Sequence, residues 1–237
     1  EDKFHWARTA IQLSFTIFLF FETWLVPLEG WGVDKFGPRP VIIFGAILST
    51  IGWILCGKAE TLGMLYFAQV LTGAGAGAVY GTCSGNSLKW FPDKRGLAAG
   101  ATAAGFGAGA AFTVIPVANM INTSGYEQAF FVFGILQGIV IFVCAIFMPR
   151  AKLPPGTKAV PRVISSKKDF TPTQIVRQPI FWLIYICFVG VASGGIMATA
   201  SFGPVSRDYG LDKIPVTLLG VTMPLLTMAM SIDNICN

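Results

Sequence analysis

Six stretches of this chain hold no Asp, Glu, Lys or Arg: residues 40–57, 61–88, 96–126, 128–149, 178–206 and 214–232. An α-helix needs about 20 apolar residues in a row to cross the hydrocarbon core of a bilayer, and each stretch is close to or above that length. A seventh, 9–33, is interrupted only by Glu22 and Glu29. In hydrocarbon only helices and closed barrels satisfy every backbone group, and these runs far exceed the roughly 9–11 residues of a barrel strand. The chain therefore reads as an all-α polytopic membrane protein with seven transmembrane helices. Its 54% hydrophobic and 12% charged residues exclude an ordinary soluble domain.

Charge placement gives an orientation. The segments 34–39, 89–95 and 150–177 hold twelve of the seventeen Lys and Arg residues, while 1–8, 58–60 and 206–213 hold the other five. Asp34, Asp93 and Asp169 lie on the first side; Glu1, Asp2, Glu60, Glu127, Asp208 and Asp212 lie on the second. The positive-inside rule makes the first side cytoplasmic. The chain then starts outside and ends inside a plasma (bacterial inner) membrane. The net charge of +5 is a topology signal, and no nucleic-acid partner is expected.

The longest hydrophilic connection, 150–177, carries four prolines and seven basic residues, the composition of a flexible linker whose cations can lie on anionic headgroups. It divides the chain into an N-terminal bundle of five spans (1–149), the cytoplasmic linker (150–177) and the start of a second bundle with two spans (178–237). "DFTPTQ" within the linker reads as the start of a short interfacial helix. An odd span count and a start at Glu1 without Met read as a fragment of a longer protein, with no signal-peptide pattern at its start.

Cofactor and metal chemistry find no support. Cys56, Cys83, Cys144, Cys187 and Cys236 are scattered over different spans without a C-x-x-C pair and read as packing residues. His5 has no companion ligands. An enzyme would need a cluster of His, Asp or Ser with activating partners, and a retinal-type photoreceptor a Lys in its last helix, whereas 214–237 contains no Lys. The expectation is a protein that is not an enzyme and holds no cofactor.

Small residues are patterned inside the spans. Gly73, Gly77, Gly81 and Gly85 recur every four residues, on one helix face, where they let another backbone approach closely. The same "GAGAGAVYG" is no dinucleotide-binding loop, because no strand precedes it and no acid follows about 20 residues later. The span at 96–121 is equally rich in Gly and Ala and carries Pro116 as an expected kink. In "WFPDKRG", residues 90–96, the aromatics read as interface anchors, with Pro92 ending one helix and Asp93 capping the next.

Between the first two spans lies "EGWGVDKFGPRP", residues 29–40, which spells G-x-x-x-D-K-x-G-x-R from Gly30 to Arg39. A tight turn explains Gly37, and the positive-inside rule explains Lys35 and Arg39. Asp34 needs a partner, either a helix N-terminus or an Arg across the bundle. This spacing resembles the loop signature of the major facilitator superfamily. The resemblance implies an incomplete major facilitator fold in which Gly30 permits close packing and Asp34, Lys35, Gly37 and Arg39 belong to a cytoplasmic latch. "VDKFGPR" (33–39), "GAGAGAVYG" (73–81) and "KWFPDKRGLAAGATAAGFGAG" (89–109) together resemble the oxalate/formate antiporter family within it. On that resemblance the chain covers the second to eighth helices of twelve, and a basic substrate-binding residue lies just past the equivalent of Asn237.

The resemblance also implies a substrate cavity near the membrane midplane, opened alternately by rocking of two halves. Tyr80 matches a cavity-lining aromatic of oxalate carriers, Phe106 falls where they show Tyr, and Glu22 where they show Gln. Both departures disfavour a dicarboxylate. An acid within a span usually faces a cavity and acts on an ion or substrate; the alternative is a neutral Glu22 hydrogen-bonded to Thr23 or a neighbouring helix. Glu29 reads as part of the loop network around Asp34. The expected function is secondary transport of a small carboxylate by exchange, with proton-coupled monocarboxylate symport as the alternative and a non-transporting membrane fragment as a third. The partners are then the carboxylate, a proton in the symport case and the lipid bilayer, with a monomer as the expected state.

Overall fold

The computed structural model describes residues 6–149, 172–211, 214–218 and 221–236. The first span is a broken helix. Helix α1 (Arg8–Trp24) and helix α2 (Val26–Phe36) meet at a bend of 42°. Pro27 lies in the first turn of α2, where it has no N–H to give and its ring opposes the carbonyl four residues back, so α1 cannot continue through it.

At the end of α2, Gly37 takes φ +92°, a backbone region that costs glycine nothing, and Pro38 opens α3 (Pro38–Gly57). The side chain of Thr61 accepts a hydrogen bond from the Met64 N–H at 3.3 Å and caps α4 (Leu62–Trp90). A short 3-10 turn, Pro92–Lys94, leads into α5 (Arg95–Ser124), which continues through Pro116 as one helix. Asp93 does not cap α5: it lies in the 3-10 turn, and the capping position falls to Lys94, which has no acceptor to offer. Gly125, at φ +86°, separates α5 from α6 (Tyr126–Phe147).

Most of the linker expected at 150–177 lies outside the described residues, as does His5. Its end forms the short helix α7 (Pro172–Val176), followed by α8 (Pro179–Asp208). The expected seventh span at 214–232 is not a transmembrane helix. Strands β1 (Pro215–Leu218) and β2 (Val221–Pro224) pair antiparallel, with Val216 opposite Met223, and only α9 (Leu225–Cys236) is helical. Pro215 and Pro224 interrupt helical bonding, and the Val and Thr residues between them favour extended backbone. The 12 residues of α9 rise about 18 Å, short of the roughly 30 Å hydrocarbon core. Among the described residues five helices are long and apolar enough to span a membrane, or six with the bent α1–α2 pair taken as one. The protein is thus an integral membrane protein.

Helix α3 packs between α4 and α6, and α4 in turn carries α1 on its other side. Small side chains make these contacts close. A Cβ on Gly45 would lie 2.8 Å from the Gly75 carbonyl oxygen, and one on Gly75 would lie 2.6 Å from that of Gly45. On the α6 side, a Cβ on Gly134 would meet the Trp53 Cβ at 2.8 Å, and Gly138 lies against Thr50. In lipid, where burying apolar surface gives no drive between helices, such backbone-level packing is what holds a bundle together.

Candidate functional site

The loop signature lies at one end of the bundle. Asp34, near the end of α2, accepts a hydrogen bond from Lys89 Nζ at 2.9 Å. One partner of Asp34 is therefore a lysine at the end of α4, a residue that the sequence reading did not single out for it. Both side chains are largely exposed. Lys35 lies over the rings of Trp31 and Phe36, 4.9 and 5.3 Å from their centres, as a cation–π anchor. Gly30 makes no close approach: a Cβ there would meet nothing within 4 Å.

Arg39, in the first turn of α3, acts elsewhere. Its Nε donates to the carbonyl of Met148 at 2.7 Å. Asn86 Nδ2 and Trp90 Nε1, both from the end of α4, donate to the carbonyl of Pro149 at 3.3 and 3.4 Å. The last carbonyls of a helix have no partners of their own, and a cation is favoured there by the helix dipole. Three donors from two helices thus hold the chain where it leaves α6. Sequence reasoning missed this clasp, because its acceptors are backbone atoms that leave no residue signature.

The glycine stripe of α4 meets α1 and α2 along a gradient. Gly73 lies directly against the Phe18 carbonyl of α1, and a Cβ on Gly77 would stand 2.6 Å from the Glu22 carbonyl oxygen. A Cβ on Gly81 would stand 3.6 Å from Glu29 Oε2, and Gly85 has nothing within 4 Å. Tyr66 adds a hydrogen bond from its hydroxyl to the Ala10 carbonyl at 3.0 Å, near the opposite end of α1.

Two of the three expected cavity residues come together. The rings of Tyr80 on α4 and Phe106 on α5 lie 5.1 Å apart, tilted by 56°, and both are exposed. Thr102 donates to Ser87 at 3.1 Å farther along the same pair of helices. Glu22 is half-buried on α1, its backbone seated on Gly73 and Gly77, the latter one helical turn before Tyr80. No contact between its carboxyl and the two rings is observed among the described residues.

Glu29 departs from expectation. It does not join the loop network: both carboxyl oxygens are buried without a hydrogen-bond partner among the described residues. Oε1 lies 3.1 Å from where a Gly77 Cβ would stand. Beside it an apolar cavity of about 380 Å³ opens between α2, α3 and α4, lined by Leu28, Trp31, Phe36, Phe44 and Leu48 among others, with Glu29 as its one charged wall.

Comparison with known proteins adds the family context. Residues 1–233 match the family model of the Major Facilitator Superfamily. The whole chain is 32% identical to the oxalate:formate antiporter of Oxalobacter formigenes and covers 54% of that protein. Over 52% of its length it is 30% identical to a probable sulfoacetate transporter of Cupriavidus necator, covering 29% of that protein. A fujikurins efflux protein of Gibberella fujikuroi is 31% identical over 60% of the chain, which covers 32% of it. The chain spans about half the length of the antiporter, and less of the other two.

Proposed function

Because this chain belongs to the Major Facilitator Superfamily, we propose that it supplies one helix bundle and the start of a second to a secondary transporter that exchanges small carboxylate anions by alternating access. The observation that carries the reading is the exposed Tyr80–Phe106 pair on the α4–α5 face, in a chain similar over its full length to an oxalate:formate antiporter. A flat carboxylate can lie on these rings and accept a hydrogen bond from the Tyr80 hydroxyl. Phe106 offers a face and no donor, so the substrate is a carboxylate with few acceptor groups to satisfy at this wall, such as formate or another monocarboxylate.

In this reading residues 1–149 and 178–237 belong to separate bundles joined by the linker at 150–177. The loops at 34–39 and 89–95 face the cytoplasm, and Asp34, Lys35, Gly37, Arg39 and Lys89 close that side in one state of the cycle. Three contacts support a shared sidedness of the loops. Asp34, Lys89, Arg39 and Met148 gather at one end of the bundle, and Arg8 pairs with Asp208 at 3.5 Å at the other.

The test is counterflow. The protein is reconstituted in vesicles preloaded with formate, oxalate or sulfoacetate, and uptake of the labelled anion is followed. Uptake that depends on internal carboxylate supports exchange. Uptake driven by a pH gradient without internal carboxylate would favour the symport reading, in which the acid Glu22 takes part. Absence of both refutes carboxylate transport.

A further inference from the structure

With the bent α1–α2 pair taken as one span, two acids lie inside it on either side of the bend: Glu22 in the last turn of α1 and Glu29 in the first turn of α2. The charged side chains beyond it have visible employment: Asp34 binds Lys89, Lys35 lies over Trp31 and Phe36, and Arg39 holds the Met148 carbonyl. Glu29 has none, although both of its carboxyl oxygens are out of contact with solvent. An ionised carboxylate in apolar surroundings without a donor or a cation is so costly that such groups take up a proton instead.

The groups that face Glu29 agree with a neutral acid. Toward it α4 presents Gly77 and Gly81, and α3 lines the adjoining cavity with Pro40, Val41, Phe44 and Leu48. From α1 the nearest ionisable side chain is another acid, Glu22, whose backbone carbonyl abuts the same Gly77. The remaining ionisable groups of these helices, Tyr66, Tyr80, Cys83 and Lys89 on α4, Asp34 and Lys35 on α2, Arg39 and Cys56 on α3 and Arg8 on α1, form no hydrogen bond with it among the described residues.

The fit is specific to glycine. A side chain at Gly77 would crowd Oε1, while the gap at Gly81 is an ordinary contact distance and the space at Gly85 is empty. Glu29 therefore sits where the seam between α2 and α4 begins to open, on the short helix beyond the bend at Leu25.

We propose that Glu29 is a proton-binding site, neutral while α2 lies against Gly77 and Gly81 and ionised once that contact parts and water reaches it. The step is a simple exchange: the carboxyl O–H bond breaks, the proton passes to water and the carboxylate keeps the electron pair. Binding of the proton is independent of what the protein transports. Its coupling to a transport cycle rests on the carrier reading above.

Wild-type protein in lipid vesicles, treated with a hydrophobic carbodiimide at a series of pH values and digested for peptide mass spectrometry, tests this without any substitution. Label is expected on Glu29, falling roughly tenfold per pH unit above its midpoint as the protonated form is depleted. A Glu29 that stays unlabelled, or a label that ignores pH, overturns the proposal. Infrared spectra give a second readout: the protonated-carboxyl C=O band should be lost in Glu29→Gln and kept in Glu22→Gln, and the reverse pattern overturns it. Should Glu29→Gln fail to fold, the labelling decides alone. Neither readout needs transport, so a failure of counterflow would refute the carrier reading and leave this one standing.

Discussion

Replacing Gly77 with Ala should destabilise the bundle, whereas the same change at Gly85, eight residues along the same stripe, should not. The added methyl at 77 would stand 2.6 Å from the Glu22 carbonyl oxygen, against about 3.4 Å where ordinary contact begins. Helix α1 must therefore retreat by about 0.8 Å locally, a gap that forfeits a quarter to a half of the dispersion attraction across the seam. The obstacle is backbone, so no rotamer change relieves it. Forced overpacking of this kind costs about 1–3 kcal/mol, or roughly a 5- to 150-fold shift in the folding equilibrium at about 1.4 kcal/mol per decade. At Gly85 nothing lies within 4 Å, and the exchange gains up to about 1 kcal/mol of helix propensity. Titration of purified protein with a denaturing detergent, followed by far-ultraviolet circular dichroism, measures both. Equal midpoints for Gly77→Ala and Gly85→Ala would refute the argument that α1 and α4 touch at backbone level here.

Other consequences can be checked separately. Asp34→Asn and Lys89→Ala break a pair whose side chains are 72% and 50% exposed, so each should move stability by no more than about 1 kcal/mol; if the pair times a transport cycle, Asp34→Asn slows turnover more than it weakens binding, and unchanged exchange rates would remove that role. Arg39→Ala deletes an exposed charged donor to the Met148 carbonyl and should cost about 0.5–1.5 kcal/mol. Hydrogen exchange at the end of α6 should quicken in that variant, and unaltered exchange would mean that the clasp does not hold it. Phe106→Tyr sets a second hydroxyl beside Tyr80 and should tighten oxalate binding by about tenfold or more, the worth of one hydrogen bond to a charged group; competition against labelled formate reads the change, and an unchanged ratio would remove the pair from the substrate site.

The spans were legible because a bilayer excludes charge, so gaps in the charge pattern mark helices with little help from anything else. The window at 214–232 misled for the same reason: an uncharged count is blind to Pro215, Pro224 and the β-branched residues between them, which decide that the backbone is extended. The α4 stripe was legible in its period of four, but only half of its meaning. Residues two apart on a helix lie about 200° apart, so Gly75 points away from Gly73 and Gly77 and meets Gly45 of α3 instead. Glu29 was misplaced because it is close to Asp34 in sequence. Pro27 breaks the helix just before it, and on the redirected α2 the two acids face different neighbours.

Alternation of glycine in "GAGAGAVYG" has a mechanical consequence. With Gly75 locked backbone to backbone on α3 and Gly73 and Gly77 locked on α1, α4 is gripped from both sides, and α6 is held on α3 through Gly134 and Gly138. Sliding of α4 past α1 or α3 would drive a carbonyl oxygen into the facing helix, and sliding of α6 past α3 would drive Gly134 and Gly138 into the Trp53 and Thr50 side chains. The grip ends along α4 in the order Gly73, Gly77, Gly81, Gly85, from direct contact to open space, and the segment that faces the opening is α2, which is joined to α1 through a 42° bend. Beyond that bend α2 meets α4 through side chains, with Glu29 and Val26 against Gly77 and Gly81 and the exposed Asp34–Lys89 pair, a weak and salt-sensitive tie. Of these helices α2 is the one that glycine does not lock backbone to backbone, and the acid it carries at the edge of the seam is Glu29.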